Sequence, residues 1–232
     1  MNGALRDSQW DRHGMVAQIL QQVQIPSMAT ISQQLETGKI EDIEAQVNVE
    51  FQKRRIAATI RPGMRIAITV GSRGIASLVE ITRATVRAVK ARGGRPFIVP
   101  AMGSHGGATA EGQQELIESL GVREDTVEAP IRASMDTVVV GKTTRGQEVH
   151  VDAHAAAADG IIVAGLVKLH PSFRGTYESG LMKMMAIGLG KQRGAQICHA
   201  EGFGKMAEYV PEFGRVVLQN APVLFAVAIV EN

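Results

Sequence analysis

Apolar positions fall at helix spacing in the first part of the chain. Val16, Ile19, Leu20 and Val23 recur every three or four residues, and Pro26 is expected to stop or turn that helix. Gly38 breaks the pattern, which resumes with Ile43, Val47 and Phe51 at steps of four. Residues 41–59 therefore read as an amphipathic helix, with Lys53, Arg54 and Arg55 near the end where cations suit the helix dipole. Arg61-Pro62-Gly63 reads as a turn.

The period then shortens. Arg65–Val70 (RIAITV) is a β-branched run, GSRG at 71–74 a tight loop, and residues 75–91 a helix with Ile75, Leu78, Val79, Val86 and Val89 on one side. Arg83, Arg87 and Lys90 fall on its other face, which reads as solvated surface. Gly93-Gly94 closes the helix. The unit repeats: PFIVPAM at 96–102 is a second strand, GSHGG at 103–107 a second loop, and Thr109 opens a helix through Leu120. Thr109 has Gly112 rather than Glu three positions on, so the capping box is half present.

From Val122 to Ala153 the texture changes to strands and turns. Residues 137–143 and 147–153 flank Arg145-Gly146 as a hairpin, with His150 among valines and His154 before an alanine-rich turn, both in structural or exposed roles. Residues 161–169 form a third strand, ending in Lys168 and His170. Residues 204–218 read as a helix with a break at Pro211, and Pro222 starts a last strand, VLFAVAIV. The chain stops directly after that strand, which suggests a piece of a longer protein. The fold class expected is α/β: a Rossmann-like, mostly parallel sheet flanked by helices, with a β-hairpin insertion. Residues 1–40 would be an N-terminal segment and 41–232 the N-terminal domain of a two-domain protein.

Composition narrows the function classes. Basic and acidic residues nearly balance, 25 against 23, and only Trp10, Tyr177 and Tyr209 combine stacking with hydrogen bonding. A nucleic-acid partner is therefore not expected. The longest apolar runs, 161–167 and 223–230, are too short to span a bilayer, and no secretory signal is apparent. One cysteine, Cys198, allows no intrachain disulfide, and the cytoplasm is the default compartment.

Strand-end loops are where open α/β sheets keep ligands. On that rim the sequence puts Arg73, His105 and His170. Histidine suits proton transfer near neutral pH, and two on one rim suggest an acid/base pair. Lys183 sits among methionines in SGLMKMM, where desolvation would expose a nucleophilic amine; taken alone it also reads as a lysine whose stem packs on the sheet. His199 is a candidate metal ligand, although its neighbour Cys198 would point the other way, and no standard zinc spacing occurs. GLGK at 188–191 reads as a fragment of a phosphate loop.

The order GSHGGATAEGQ, VKLH, SGLMK and a histidine sixteen positions after that lysine resembles the nickel-pincer lactate racemase family over about residues 40–232. The resemblance implies that His105 and His170 are the acid/base pair and that Arg73 contacts substrate. It also implies that Lys183 carries a covalently attached nickel-pincer nucleotide and that His199 ligates the nickel. The implied reaction is racemisation or epimerisation of a 2-hydroxy acid by hydride transfer, which spares the poorly acidic C2 hydrogen a simple deprotonation. Cofactor-biosynthesis enzymes would be partners, a membrane would not, and a homo-oligomer is compatible. Three details differ from the family pattern: GSRG has no acidic residue before its arginine, LMK stands for GRK, and His170 and Lys183 are 13 residues apart. Two other readings stay open: an isomerase or dehydrogenase for a larger sugar acid, and a non-catalytic nucleotide- or metal-binding module.

Overall fold

The computed structural model describes residues 15–24, 27–35 and 38–231. The chain divides at Gly38. In the described part of the first unit, α1 (Met15–Leu20) is a short helix with Ile19 and Leu20 exposed. Pro26, the expected stop, lies outside the described residues.

The second unit begins with α2 (Ile43–Gln52), capped by Asp42, whose carboxylate accepts from the Ala45 N–H at 2.9 Å. The single helix expected over 41–59 is two helices, because Lys53 leaves the helical region (φ −57°, ψ 127°) before α3 (Arg54–Ala57). That turn lets Phe51 enter the core while the basic run stays at the surface.

The β-α repeat then forms as expected, with trimmed ends. β1 (Arg65–Val70) leads to α4 (Leu78–Lys90), which starts three residues late because Ser77 adopts a left-handed conformation. β2 (Arg95–Pro100) stops before Ala101, and α5 (Ala110–Ser119) starts on Thr109, whose hydroxyl accepts from the Gly112 N–H at 3.0 Å. A short helix, α6 (Glu124–Val127), falls in the stretch expected to hold only strands and turns. The hairpin of β3 (Thr137–Lys142) and β4 (Glu148–Asp152) follows, then α7 (Ala153–Ala156), which contains His154.

β5 (Gly160–Leu166) ends three residues before the expected Leu169, so Lys168 and His170 lie in the loop beyond it. Next come α8 (Leu181–Lys183), a π-helical turn (Met184–Gly188), α9 (Lys191–His199), α10 (Met206–Asn220) and β6 (Val223–Ile229). Pro211 does not break α10. It removes one ladder donor six residues into the helix, and the apolar face of Met206, Tyr209, Val210, Phe213 and Val217 is fully buried, which outweighs that loss.

The main sheet has order β2-β1-β5-β6, all parallel. Alternation along its strands divides the core in two. Ile66, Ile68, Val70, Ile98 and Ile162 face a cluster with α2, α4 and α5; Ala67, Phe97, Val99, Ile161 and Val163 face one with the hairpin, the π turn and α10. Pro96 is tolerated because β2 is an outer strand, and its free edge is covered where Ile98 exchanges hydrogen bonds with Pro130 and Arg132. On the helical side, Arg87 joins α4 to α2 through Glu44 (2.9 Å) and to Glu128 (2.5 Å), so that basic face is partly an ion-pair seam. No helix among the described residues is long and apolar enough to cross a membrane.

Candidate active site

Parallel strands carry their carboxyl ends to one rim. Val70 of β1 pairs with Pro100 of β2, so the loops bearing Arg73 and His105 leave the sheet at the same level. β5 adds Lys168 and His170 beside them. The segment 179–188 closes over this rim and leaves a cavity of about 150 Å³ bordered by Ser72, Arg73, His105, Lys168, Lys183 and Met184. Among the described residues no carboxylate borders it, so four permanent or potential cations face a space without a counter-charge from its lining.

Lys183 reaches this position through local backbone geometry. Gly180 (φ +73°) sets the start of α8, and the Met184–Gly188 turn has one residue more than an α-helical turn, with the Leu189 N–H bonding the Met184 carbonyl at 2.8 Å. The turn packs hard on β5: a Cβ at Gly165 would stand 2.8 Å from Met184 Cγ. Burial, then the charges of Arg73 and Lys168, pull the Lys183 amine below its ordinary pKa. Lys183 also borders the cavity.

His105 is also held towards its neutral form, by burial first and then by Arg73 and Lys183. Its Nδ1 lies 2.5 Å from Ser72 Oγ, a hydroxyl able either to donate or to accept. Arg73, His105 and Lys183 are thus brought together as one group.

His170 and His199 do not border the cavity; they stand together on its flank. Their rings lie 6.1 Å and 6.2 Å from the ring of Phe203, and Phe173 packs on His170 at 4.4 Å. Burial, then the Lys183 charge, lowers the His170 pKa, with Glu178 acting the other way. The Ser172 N–H donates to His170 Nδ1 (3.1 Å), which leaves the proton of the neutral ring on Nε2. Glu178, which sequence reasoning passed over, closes this loop by accepting from the N–H groups of His170 (2.9 Å) and Gly175 (3.2 Å). Those hydrogen bonds hold its carboxyl below the usual range. His150 and His154 lie elsewhere; His150 is buried and bonds Thr137 Oγ1.

GLGK is not a phosphate loop. The Lys191 side chain is fully buried, turned into the protein by a left-handed backbone (φ +52°), and its Nζ meets Asp152, Gln113 and the Pro100 carbonyl. A lone lysine after two glycines carries no sequence signal of burial, and Asp152 and Gln113 are far from it along the chain.

The donor set suits the cofactor that the sequence resemblance implies. A lysine amine held towards neutrality is the right partner for a covalent tether. His199 Nδ1 donates to the Ala195 carbonyl at 2.6 Å, which fixes the tautomer and leaves the Nε2 lone pair for a metal. Cys198 is no rival ligand: it is buried, and its thiol is pushed up to about 12. Among the described residues no cluster of three metal-binding side chains occurs.

Residues 12–208 match the family described as lactate racemase N-terminal domain. No curated protein matches the chain. Among solved structures, the chain is similar to the lactate racemase apoprotein from Thermoanaerobacterium thermosaccharolyticum, with TM-score 0.54 and 14% identity over 82% of this chain and 49% of that one. This likeness shows the fold, and the chain spans about half the length of that structure. The C-domain of a bacterial malonyl-CoA reductase with NADP aligns over 88% of this chain and 39% of its own at 11% identity, but its TM-score of 0.24 carries no argument.

Proposed function

We propose a function from one premise: the chain belongs to the lactate racemase N-terminal domain family. It supplies the acid/base, tether and metal-ligand half of a 2-hydroxy acid racemase or epimerase, acting in the cytoplasm. The observation that carries this reading is the cavity in which Arg73, His105 and Lys183 meet with no carboxylate among the described residues that line it.

Arg73 is the group to hold the substrate carboxylate, since a guanidinium matches its two oxygens. Lys183 would tether a nickel-pincer nucleotide and His199 would ligate its metal; when bound, that group would supply reversible acceptance of the hydride from C2. The chain's own residues handle the hydroxyl proton. In one direction a neutral imidazole takes it as the alcohol becomes a ketone; on return the other ring, protonated from solvent to imidazolium, gives a proton to the oxygen, and C2 is inverted. The two histidines are suited to opposite starting roles. His170, with Nδ1 already accepting from Ser172, rests with Nε2–H as a donor to the substrate oxygen. His105 can rest as the base, because Ser72 Oγ can accept from Nδ1–H and leave Nε2 free. Both pKa values are lowered from 6.5, so both rings favour the neutral, proton-accepting form at pH 7, and each acts as an acid only after it has taken up a proton.

The test is co-expression of the full-length protein with cofactor-making enzymes. An intact-mass adduct that maps to Lys183, one nickel per chain, and exchange at C2 of deuterated hydroxy acids are expected. Unmodified Lys183 without nickel, or His105→Ala with full turnover, would sink the proposal.

A further inference from the structure

We infer that Lys191, Asp152 and Gln113 form a buried positioning network that fixes the His105 loop against the turn and helix that carry Lys183 and His199. All three side chains are fully buried, and none takes part in the chemistry above. Lys191 Nζ donates to Gln113 Oε1 at 2.9 Å and to the Pro100 carbonyl at the end of β2. Asp152 Oδ2 stands 3.2 Å from the same nitrogen, at ion-pair distance without hydrogen-bond alignment. Gln113 passes the connection on. Its Nε2 donates to the Gly103 carbonyl at 2.8 Å and the His105 carbonyl at 3.3 Å, on both sides of Ser104 in the GSHG loop.

Both ends of this chain of contacts are anchored. The Gly103 N–H bonds the Gly188 carbonyl (3.2 Å) and the Asp152 N–H bonds the Leu189 carbonyl (2.7 Å), so the link between the π turn and α9 is clamped from two sides. Asp152 is itself held, its Oδ1 accepting from the Ala155 N–H at 2.9 Å. A buried ammonium is costly, and an apolar residue of similar length would fill the same space. The left-handed backbone at Lys191 adds to that cost. What the ion gains is direction. Its acceptors come from β2, α5 and β4, and they converge just beneath the residue proposed as base. Lys191, Asp152 and Gln113 are positioning residues, since none borders the cavity.

This inference rests on the reading of His105 as an acid/base. Its test uses readouts of the loop, so it can fail while that reading stands. Gln113→Met keeps length and volume while removing both donor contacts to the loop and the acceptor for Lys191. Amide exchange and the imidazole titration of His105 are followed by NMR in the whole chain. The expected result is about tenfold faster exchange at residues 103–107, the effect of one lost net hydrogen bond, with β5 unchanged. The His105 midpoint should rise towards 6.5 as the loosened loop exposes the ring to water and carries it away from Arg73 and Lys183, and that of His170 should stay. Should Gln113→Met not fold, Lys191→Met with Asp152→Asn removes both buried charges together and is expected to give the same pattern. Exchange that rises equally in β5, or an unchanged loop and His105 midpoint in either folded variant, would overturn the inference.

Discussion

Ser72 Oγ lies 2.5 Å from His105 Nδ1, so the loop that ends β1 orients the imidazole carried by the loop that ends β2. The repeated GSRG and GSHG loops are therefore one device: the serine of the first serves the histidine of the second. Ser72→Ala leaves the ring without this partner. Turnover of the loaded, full-length enzyme should fall about tenfold, the worth of one net hydrogen bond, while Ser72→Thr keeps most of it. Equal rates in Ser72→Ala and the parent would remove Ser72 from the mechanism.

Lys183 should react as an unusually ready amine. Its pKa is lowered from 10.5 by burial and by the charges of Arg73 and Lys168. Reductive methylation followed across pH and mapped by mass should give Lys183 a midpoint below 10.5, and Arg73→Gln should raise that midpoint. A midpoint at or above 10.5 would mean that the amine is solvated.

The β-α repeat was legible because strand and helix periods are local: β1 matched its expected bounds, and the expected strand ends brought Arg73 and His105 to one rim. Lys183 was legible only in order with its neighbours, since a lysine among methionines also fits a packed stem. Three features were not legible for physical reasons. The Met184–Gly188 π turn depends on how tightly the chain packs on Gly165. The flank position of His170 follows from the early end of β5, and end positions depend on what each strand meets. The Lys191 ion pair joins residues on different elements, and neither Lys191 nor Asp152 looks buried by type. Pro211 misled because the rule for proline is local, whereas the burial of α10 is not.

Acid should destabilise the chain before its carboxylates titrate. His105 and His170 both have folded pKa values below 6.5, so between those values and 6.5 the unfolded chain binds more protons than the folded one. Their contribution is fully present above 6.5 and is lost as pH falls through the lowered values. The melting temperature should drop as pH is taken from 7.5 to about 5.5, and His105→Gln with His170→Gln should flatten that drop. The lowered carboxyl groups of Glu178 and Glu208 come later, below their ordinary value of 4.5. A melting temperature that is flat from pH 7.5 to 5.5 would count against both histidine shifts.

Gly106 and Gly112 approach closely enough to decide where His105 sits. A Cβ on Gly112 would stand 2.1 Å from the Gly106 carbonyl oxygen, and one on Gly106 would stand 2.5 Å from that of Gly112. The obstacles are backbone atoms, so no flexible side chain can yield, and α5 must back away from the GSHG loop. Gly112→Ala should cost about 1–3 kcal/mol, as overpacking does, and lower the melting temperature by roughly 2–4 °C per kcal/mol. Gly107→Ala supplies the contrast. Its Cβ meets nothing within 4 Å, although φ is +65°, so only backbone strain is added, about 1 kcal/mol. Retreat of α5 would also carry Gln113 away from the Gly103 carbonyl, so Gly112→Ala should loosen residues 103–107 where Gly107→Ala does so less. Exchange measured in both variants checks this, and equal loosening in the two would show that the close approach of the glycines does not hold the loop.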